Sequence, residues 1–317
     1  MRILIVKYNY ITEGLEEELL KRGHRVTCKK IVSQDDIKDN DVLVVWQETI
    51  MGGARQLVGW AKAFGKKTIL LQHGALQDYR FRMSEPFNEN LLSDIVCVWG
   101  EDDKKRLLEL GVKEDRIRVT GSMIFQHLKP RVPHKGKVIL FVPEHGDEDS
   151  AENLCVAGVI RKLKIPIITK LLIPNPKNTE SYDKENINPE WYDNPVISDR
   201  FDKNHLDICA DVLSKADVMV GLSESTTGIM AEALDIPVVC ADVWIPKAYH
   251  KDERYMNYQR PYTNACVRVK IDKVNDAIKY ALKHPKHLRT ERRQVVEANG
   301  GNIKDPIKNI CDVICQE

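Results

Sequence analysis

The apolar positions of this chain fall into short unbroken runs separated by amphipathic stretches. Ile3-Leu4-Ile5-Val6 is apolar at every position, the pattern of a strand covered on both faces in the middle of a parallel sheet. From Gly14 to Arg22 the period changes: Leu15, Leu19 and Leu20 share a helical face, while Glu16, Glu17, Glu18 and Lys21 fall mostly off it. Gly23 ends that helix, and His24-Arg25-Val26-Thr27 leads into a second strand. Further strands are predicted at 42–46, 68–72 and 94–99, with a helix at 54–65 closed by Gly65. Strand and helix alternating at this spacing predict a doubly wound parallel sheet.

The alternation stops at 129–137, a basic stretch with two prolines and little that belongs in a core, and this reads as a linker. It then resumes with strands at 138–142, 166–169, 218–222 and 237–241 and helices near 151–163 and 225–234. The stretch 175–203, rich in Pro, Asn and Asp, reads as irregular loop. The expected organisation is two Rossmann-like domains, 1–130 and 137–304, with a helix at 305–317 packing back on the first. A length of 317 residues suits two cores better than one.

Composition narrows the class. The chain is 43% hydrophobic and 30% charged with a formal net charge of +1, so no whole-molecule field draws it to nucleic acid or anionic lipid. No apolar run approaches the roughly 20 residues that span a bilayer. The opening MRILIVKYNY reads as a buried strand rather than a secretory leader, and the expected location is the cytoplasm. Eight scattered cysteines make no C-x-x-C pair, which fits a reducing compartment and small hydrophobic roles such as those of Cys97 and Cys240.

In doubly wound sheets ligands bind beyond the carboxyl ends of the strands, where helix N-termini and loop N–H groups are free. Four such places carry chemistry. At Gln72-His73-Gly74, His73 brings an imidazole, whose ordinary pKa lies near neutrality and suits proton transfer, with Arg80 and Arg82 close behind for a phosphate or an acceptor. At Ser223-Glu224-Ser225-Thr226-Thr227-Gly228, several hydroxyls open a helix and make a cradle for a diphosphate; Glu224 and Glu232 offer carboxylates for ribose hydroxyls. At Pro143-Glu144-His145-Gly146, Glu144 and His145 would face an interdomain cleft, and Lys170 after the next strand would add charge near the diphosphate. At Lys7-Tyr8-Asn9-Tyr10, Tyr8 and Asn9 suit an acceptor-facing loop. That turn has no G-x-G-x-x-G, which argues against a dehydrogenase. Walker A, G-x-S-x-G and H-E-x-x-H motifs are absent, and no metal site is expected.

Three blocks resemble the GT-B glycosyltransferases and their relatives, the non-hydrolysing UDP-GlcNAc 2-epimerases and the CDP-glycerol glycerophosphotransferases. They are the strand-then-QHG element at 68–74, SDIVCVWGEDDKKRLLELGVKEDRIRVTGSMIF at 93–125, and GLSESTTGIMAEALDIPVVCAD at 221–242. The resemblance implies a GT-B fold with an acceptor domain first and a nucleotide-sugar domain second. It implies a base or acceptor-binding role for His73, diphosphate binding by Ser223, Ser225, Thr226 and Thr227, and ribose binding by Glu232. Gly121 and Ser122 match the turn before the linker. It further implies glycosyl transfer from a UDP- or CDP-linked sugar to a glycan or small molecule, without a metal or other cofactor. The epimerases carry an acid beside the histidine, where this chain reads His73-Gly74-Ala75-Leu76-Gln77, and this favours transfer. Two alternatives stand beside it. One is an epimerase or hydrolase using Glu144 and His145. The other is a DNA-base-modifying glycosyltransferase, for which 268–293 holds nine Lys or Arg against three acids.

Overall fold

The computed structural model describes residues 1–7, 14–46, 48, 53–72, 74, 91–143, 151–172, 192–198, 204–222, 225–242 and 264–316. They form two compact units, Met1–Met123 with Glu297–Glu317, and Ile124–Val296.

The first unit is built on a parallel sheet of β1 (Arg2–Val6), β2 (Arg25–Lys29), β3 (Val42–Val45), β4 (Lys67–Leu71), β5 (Ile95–Val98) and β6 (Ile117–Val119). Their order is β2-β1-β3-β4-β5-β6. Helices α1 (Leu15–Lys21), α2 (Gln34–Lys38), α3 (Gly53–Ala63) and α4 (Glu101–Glu109) provide the crossovers. Leu4, Leu43, Val45, Leu70, Val96 and Val98 from the central strands bury against Ile37, Val58, Ala61 and Leu107 of the helices.

The second unit repeats the plan with β7 (Ile139–Val142), β8 (Ile167–Leu172), β9 (Pro195–Ser198), β10 (Val218–Gly221), β11 (Val238–Asp242) and β12 (Cys266–Lys270). The order is β12-β11-β10-β7-β8-β9, again with every pairing parallel. The strand order therefore reverses between β7 and β10, the switch point at which open α/β sheets bind ligands. Its helices are α5 (Ala151–Arg161), α6 (His205–Ser214), α7 (Thr226–Ala233), α8 (Val274–Lys283) and α9 (Arg289–Ala298). One sheet face, with Phe141, Leu171, Val218, Val220 and Val239, packs under α5 and α8.

The 129–137 stretch is not a free linker. Lys129 reaches Asp211 at 2.8 Å, Val132 N–H donates to the Ser214 carbonyl, and Arg131 and His134 each contact Asp217 at 3.0 Å. Its basic residues dock on the acidic rim that α6 and β10 present. The 175–203 stretch, read as loop, contains the edge strand β9.

The chain returns to the first unit through a crossing in which a Cβ on Gly100 would lie 1.8 Å from the Ala298 carbonyl oxygen. Gly300 lies there at φ +81°, with space for no side chain against the Trp99 carbonyl. Beyond it, α10 (Pro306–Cys315) packs on α1, where Arg22 pairs with Asp312 at 2.7 Å.

Candidate functional site

In the second unit, two of the residues singled out by sequence stand beside the switch point. Thr169 is paired with Phe141, and Val142 with Gly221, so Lys170 is level with the last residue of β10. Alternation turns Lys170 away from Leu171 and Phe141, onto the face covered by α6 and α7. There it is only 4% exposed and hydrogen-bonds the Cys209 thiol of α6; no carboxylate pairs with it among the described residues. Burial pushes the Cys209 thiol up, and Lys170 opposes that shift. His205, at the start of α6, is buried beside the same sulfur, its Nε2 3.8 Å away. A thiol alone compensates a buried ammonium poorly, because ionic groups taken out of water need an opposite charge.

Ser225 is the N-cap of α7 by backbone position, yet its hydroxyl makes no capping bond. Its Oγ is buried and has no partner among the described residues. Among the described residues, the first-turn N–H groups of α7 therefore receive no capping bond from the Ser225 hydroxyl, and the positive end of a helix dipole favours an anion. Thr226 and Thr227 occupy the first turn, and Glu232 is buried in the second. Ser223 and Glu224, just before, lie outside the described residues, as do Glu144 and His145 after β7.

In the first unit, His73, Tyr8, Asn9, Arg80 and Arg82 also lie outside the described residues. The residues flanking His73 are described and are held firmly. Gln72 Oε1 accepts from the Trp99 backbone N–H at 2.8 Å, and its Nε2 donates to the Gly74 carbonyl at 2.8 Å and to Asp103 Oδ2 at 3.1 Å. The Trp99 indole N–H donates to the Gln72 carbonyl at 3.1 Å. Every polar atom of the Gln72 side chain is therefore engaged, which fixes the orientation of its amide.

Asp103, in the first turn of α4, is completely buried, and its Oδ1 has no partner among the described residues. Burial pushes its carboxyl up to about 6, against the lowering effects of Gln72 and Arg106. Another buried carboxylate of this unit, Glu48, differs: one oxygen accepts from Leu92 N–H, the other from Ser93 N–H and Oγ. Sequence reasoning missed Asp103 because Glu101-Asp102-Asp103 reads as ordinary acidic dressing of a helix start. It missed His205 because the strand before that helix was read as loop.

The basic 268–293 segment is partly neutralised within its own unit. Arg268 pairs with Asp242, and Arg289 and Arg292 both pair with Asp235. Among the described residues, no helix is long and apolar enough to cross a membrane.

No family model and no curated protein matches the chain. Solved structures do. The chain is similar to UDP-GlcNAc 2-epimerase from Neisseria meningitidis bound to UDP-GlcNAc, with a TM-score of 0.63 and 15% identity over all of both chains. It is similar to the wall teichoic acid polymerase TagF in a variant soaked with CDPG, with a TM-score of 0.57 and 14% identity over 99% of this chain and 87% of that one. It also resembles CalG4, the calicheamicin glycosyltransferase, with a TM-score of 0.54 and 12% identity over 99% and 97%. Taken with the two parallel six-stranded sheets, these likenesses show that the chain has the GT-B fold.

Proposed function

We propose that the chain is a glycosyltransferase that moves a sugar from a nucleoside diphosphate donor, UDP- or CDP-linked, to a glycan or small-molecule acceptor. The observation that carries this reading is Lys170. It is a buried ammonium on the sheet face that α6 and α7 cover, in the same unit as the α7 N-terminus, whose N-cap Ser225 makes no capping bond, and beside the switch point of the second sheet. A diphosphate supplies what both features lack, a compact double negative charge with acceptor oxygens. The same groups oppose the charge that builds on the diphosphate as the glycosidic bond breaks, so they act in the transition state and not only in binding. Ser223, Ser225, Thr226 and Thr227 are assigned to the diphosphate, and Glu224 and Glu232 to the ribose. His73 is assigned the proton of the acceptor hydroxyl, with Tyr8, Asn9, Arg80 and Arg82 binding the acceptor. Glu144 and His145, which follow a strand at the switch point, are assigned catalytic roles alongside His73.

The solved relatives support the donor class: the Neisseria structure is described as bound to UDP-GlcNAc, and the TagF structure as soaked with CDPG. The test is nucleoside diphosphate release from a panel of UDP-, CDP-, GDP- and TDP-sugars, with and without a mixture of acceptors and without added metal. Release that depends on acceptor and falls in His73→Ala supports transfer. Epimerised or hydrolysed donor formed without acceptor would instead support the epimerase or hydrolase alternative. No turnover of any donor, with or without acceptor, removes the reading.

A further inference from the structure

We propose that Asp103 is a positioning residue for His73, acting through the Gln72 amide on the two residues that flank it. The inference rests on the assignment of His73 as the base and adds a control element behind it.

The geometry is a clamp. Gln72 precedes His73 and Gly74 follows it, and one side-chain amide grips both sides of that position. Nε2 holds the Gly74 carbonyl, while Oε1 and the Gln72 carbonyl are anchored to the backbone and indole N–H groups of Trp99. The remaining Nε2 hydrogen goes to Asp103 Oδ2. Asp103 therefore acts with the Trp99 N–H and the Gly74 carbonyl to fix which way the amide faces, and it is the one ionisable partner among the three. Gln72, Trp99 and Asp103 are all 5% exposed or less, so water does not substitute for any of these bonds.

A purely structural clamp needs no charge. An asparagine, or a leucine with one fewer bond, would fill this place at lower cost than a buried carboxyl with an orphaned oxygen. Among the described residues, the charged groups that act on Asp103 are Arg106 and Asp102, both on its own helix. From β4 it meets the neutral Gln72, and the 298–300 crossing over Gly100 brings Ala298, Asn299 and Gly300, none of them charged. Its ionisation is thus left near the pH at which a histidine base also titrates. When Asp103 is ionised, the bond from Gln72 is charge-assisted and the clamp is tight; when it is protonated, that bond weakens to a neutral one. The turn that carries His73 is then held best in the pH range in which the imidazole is free to accept a proton.

The test reads the clamp and the turnover separately on the whole chain. The Trp99 indole N–H, identified by its loss in Trp99→Phe, is followed by NMR from pH 5 to 8, and kcat is measured over the same range. The expected result is an indole shift with a midpoint near 6, accompanied by an acid limb in kcat, with the indole shift abolished in Asp103→Asn. In Asp103→Asn the acid limb becomes shallower and kcat falls about tenfold or more, while KM for the donor stays within about twofold, since only the turn is loosened. Asp103→Ala, which also loses the acceptor for Gln72, should fall further than Asp103→Asn. An indole signal that does not titrate overturns the proposal, and so does an Asp103→Asn enzyme with an unchanged kcat profile. His73→Ala with unchanged turnover removes the base assignment instead; the indole titration then still reports whether Asp103 controls the clamp.

Discussion

Replacing Lys170 by methionine should move the stability and the ligand affinity of the second unit in opposite directions. Lys170 is 4% exposed, and against its desolvation stand a hydrogen bond to Cys209 and no carboxylate among the described residues. Taking an ammonium out of water costs several kcal/mol even after relaxation, and one ordinary hydrogen bond returns about 1 kcal/mol. Methionine has a similar length, no charge and the flexibility to fill the same space. The unliganded variant should therefore gain about 2 kcal/mol, which raises the midpoint of that unit by about 4–8 °C. The affinity for a nucleoside diphosphate should fall about 100-fold, the loss of about 3 kcal/mol expected when a buried charge-assisted contact disappears. Scanning calorimetry with and without nucleotide reads both quantities from one preparation. A variant that melts lower than the parent without ligand would show that Lys170 is held by favourable contacts of the fold, and the anion-site reasoning would fail.

Other outcomes follow from the same structure. Asp103 has a folded-state pKa raised from 3.8 to about 6, so the unfolded chain ionises it first, and stability falls as pH rises between about 4 and 6. That fall amounts to about 3 kcal/mol and should be missing in Asp103→Asn, a difference read from urea midpoints across the range. Ser33 accepts from Asp36 N–H in a capping box, so Ser33→Ala should cost about 1 kcal/mol, whereas Ser225→Ala, which removes no capping bond, should change unliganded stability by less than about 0.5 kcal/mol. Gly23 and Gly300 share a positive φ, at +82° and +81°, but only Gly300 is crowded, by the Trp99 carbonyl. Chemical denaturation should show Gly23→Ala losing about 1 kcal/mol and Gly300→Ala about 2 kcal/mol more, because the obstruction is backbone and cannot rotate away. Equal losses would mean that the return crossing is not tight.

The central strands of both sheets are legible in the sequence because both of their faces are buried. Ile3–Val6, Val42–Val45, Ile139–Val142 and Val218–Gly221 each read as a run of apolar residues broken at most by one glycine. The edges are harder. β6 has three residues, β9 begins with proline, and β12 alternates Val267 and Val269 with exposed Arg268 and Lys270 inside a basic segment. Edge strands need be apolar on one face at most, and prolines and charges there discourage pairing with other chains. Missing β9 had a consequence for the site: the helix that follows it brings Cys209 against Lys170, with His205 beside the same sulfur. Lys170 reads in the sequence as following a strand that ends at 169, but β8 runs to Leu172 and takes it in, because Leu171 and Leu172 continue the pairing with β9. Ser225 does stand at a helix start, which is marked in the sequence. Burial is not marked in the same way. Nothing in Glu101-Asp102-Asp103 distinguishes the one carboxyl that the fold encloses from the two that it leaves in water.

A calorimetric titration of the whole chain with UDP, CDP, GDP and TDP, in chelator and without added metal, tests the donor site most directly. One of the four should bind at a single site with a dissociation constant in the micromolar range, about −8 kcal/mol, and that binding should weaken about 100-fold in Lys170→Met. Absence of binding by all four at millimolar concentration, or equal binding in the parent and in Lys170→Met, would contradict a diphosphate site at Lys170 and the start of α7.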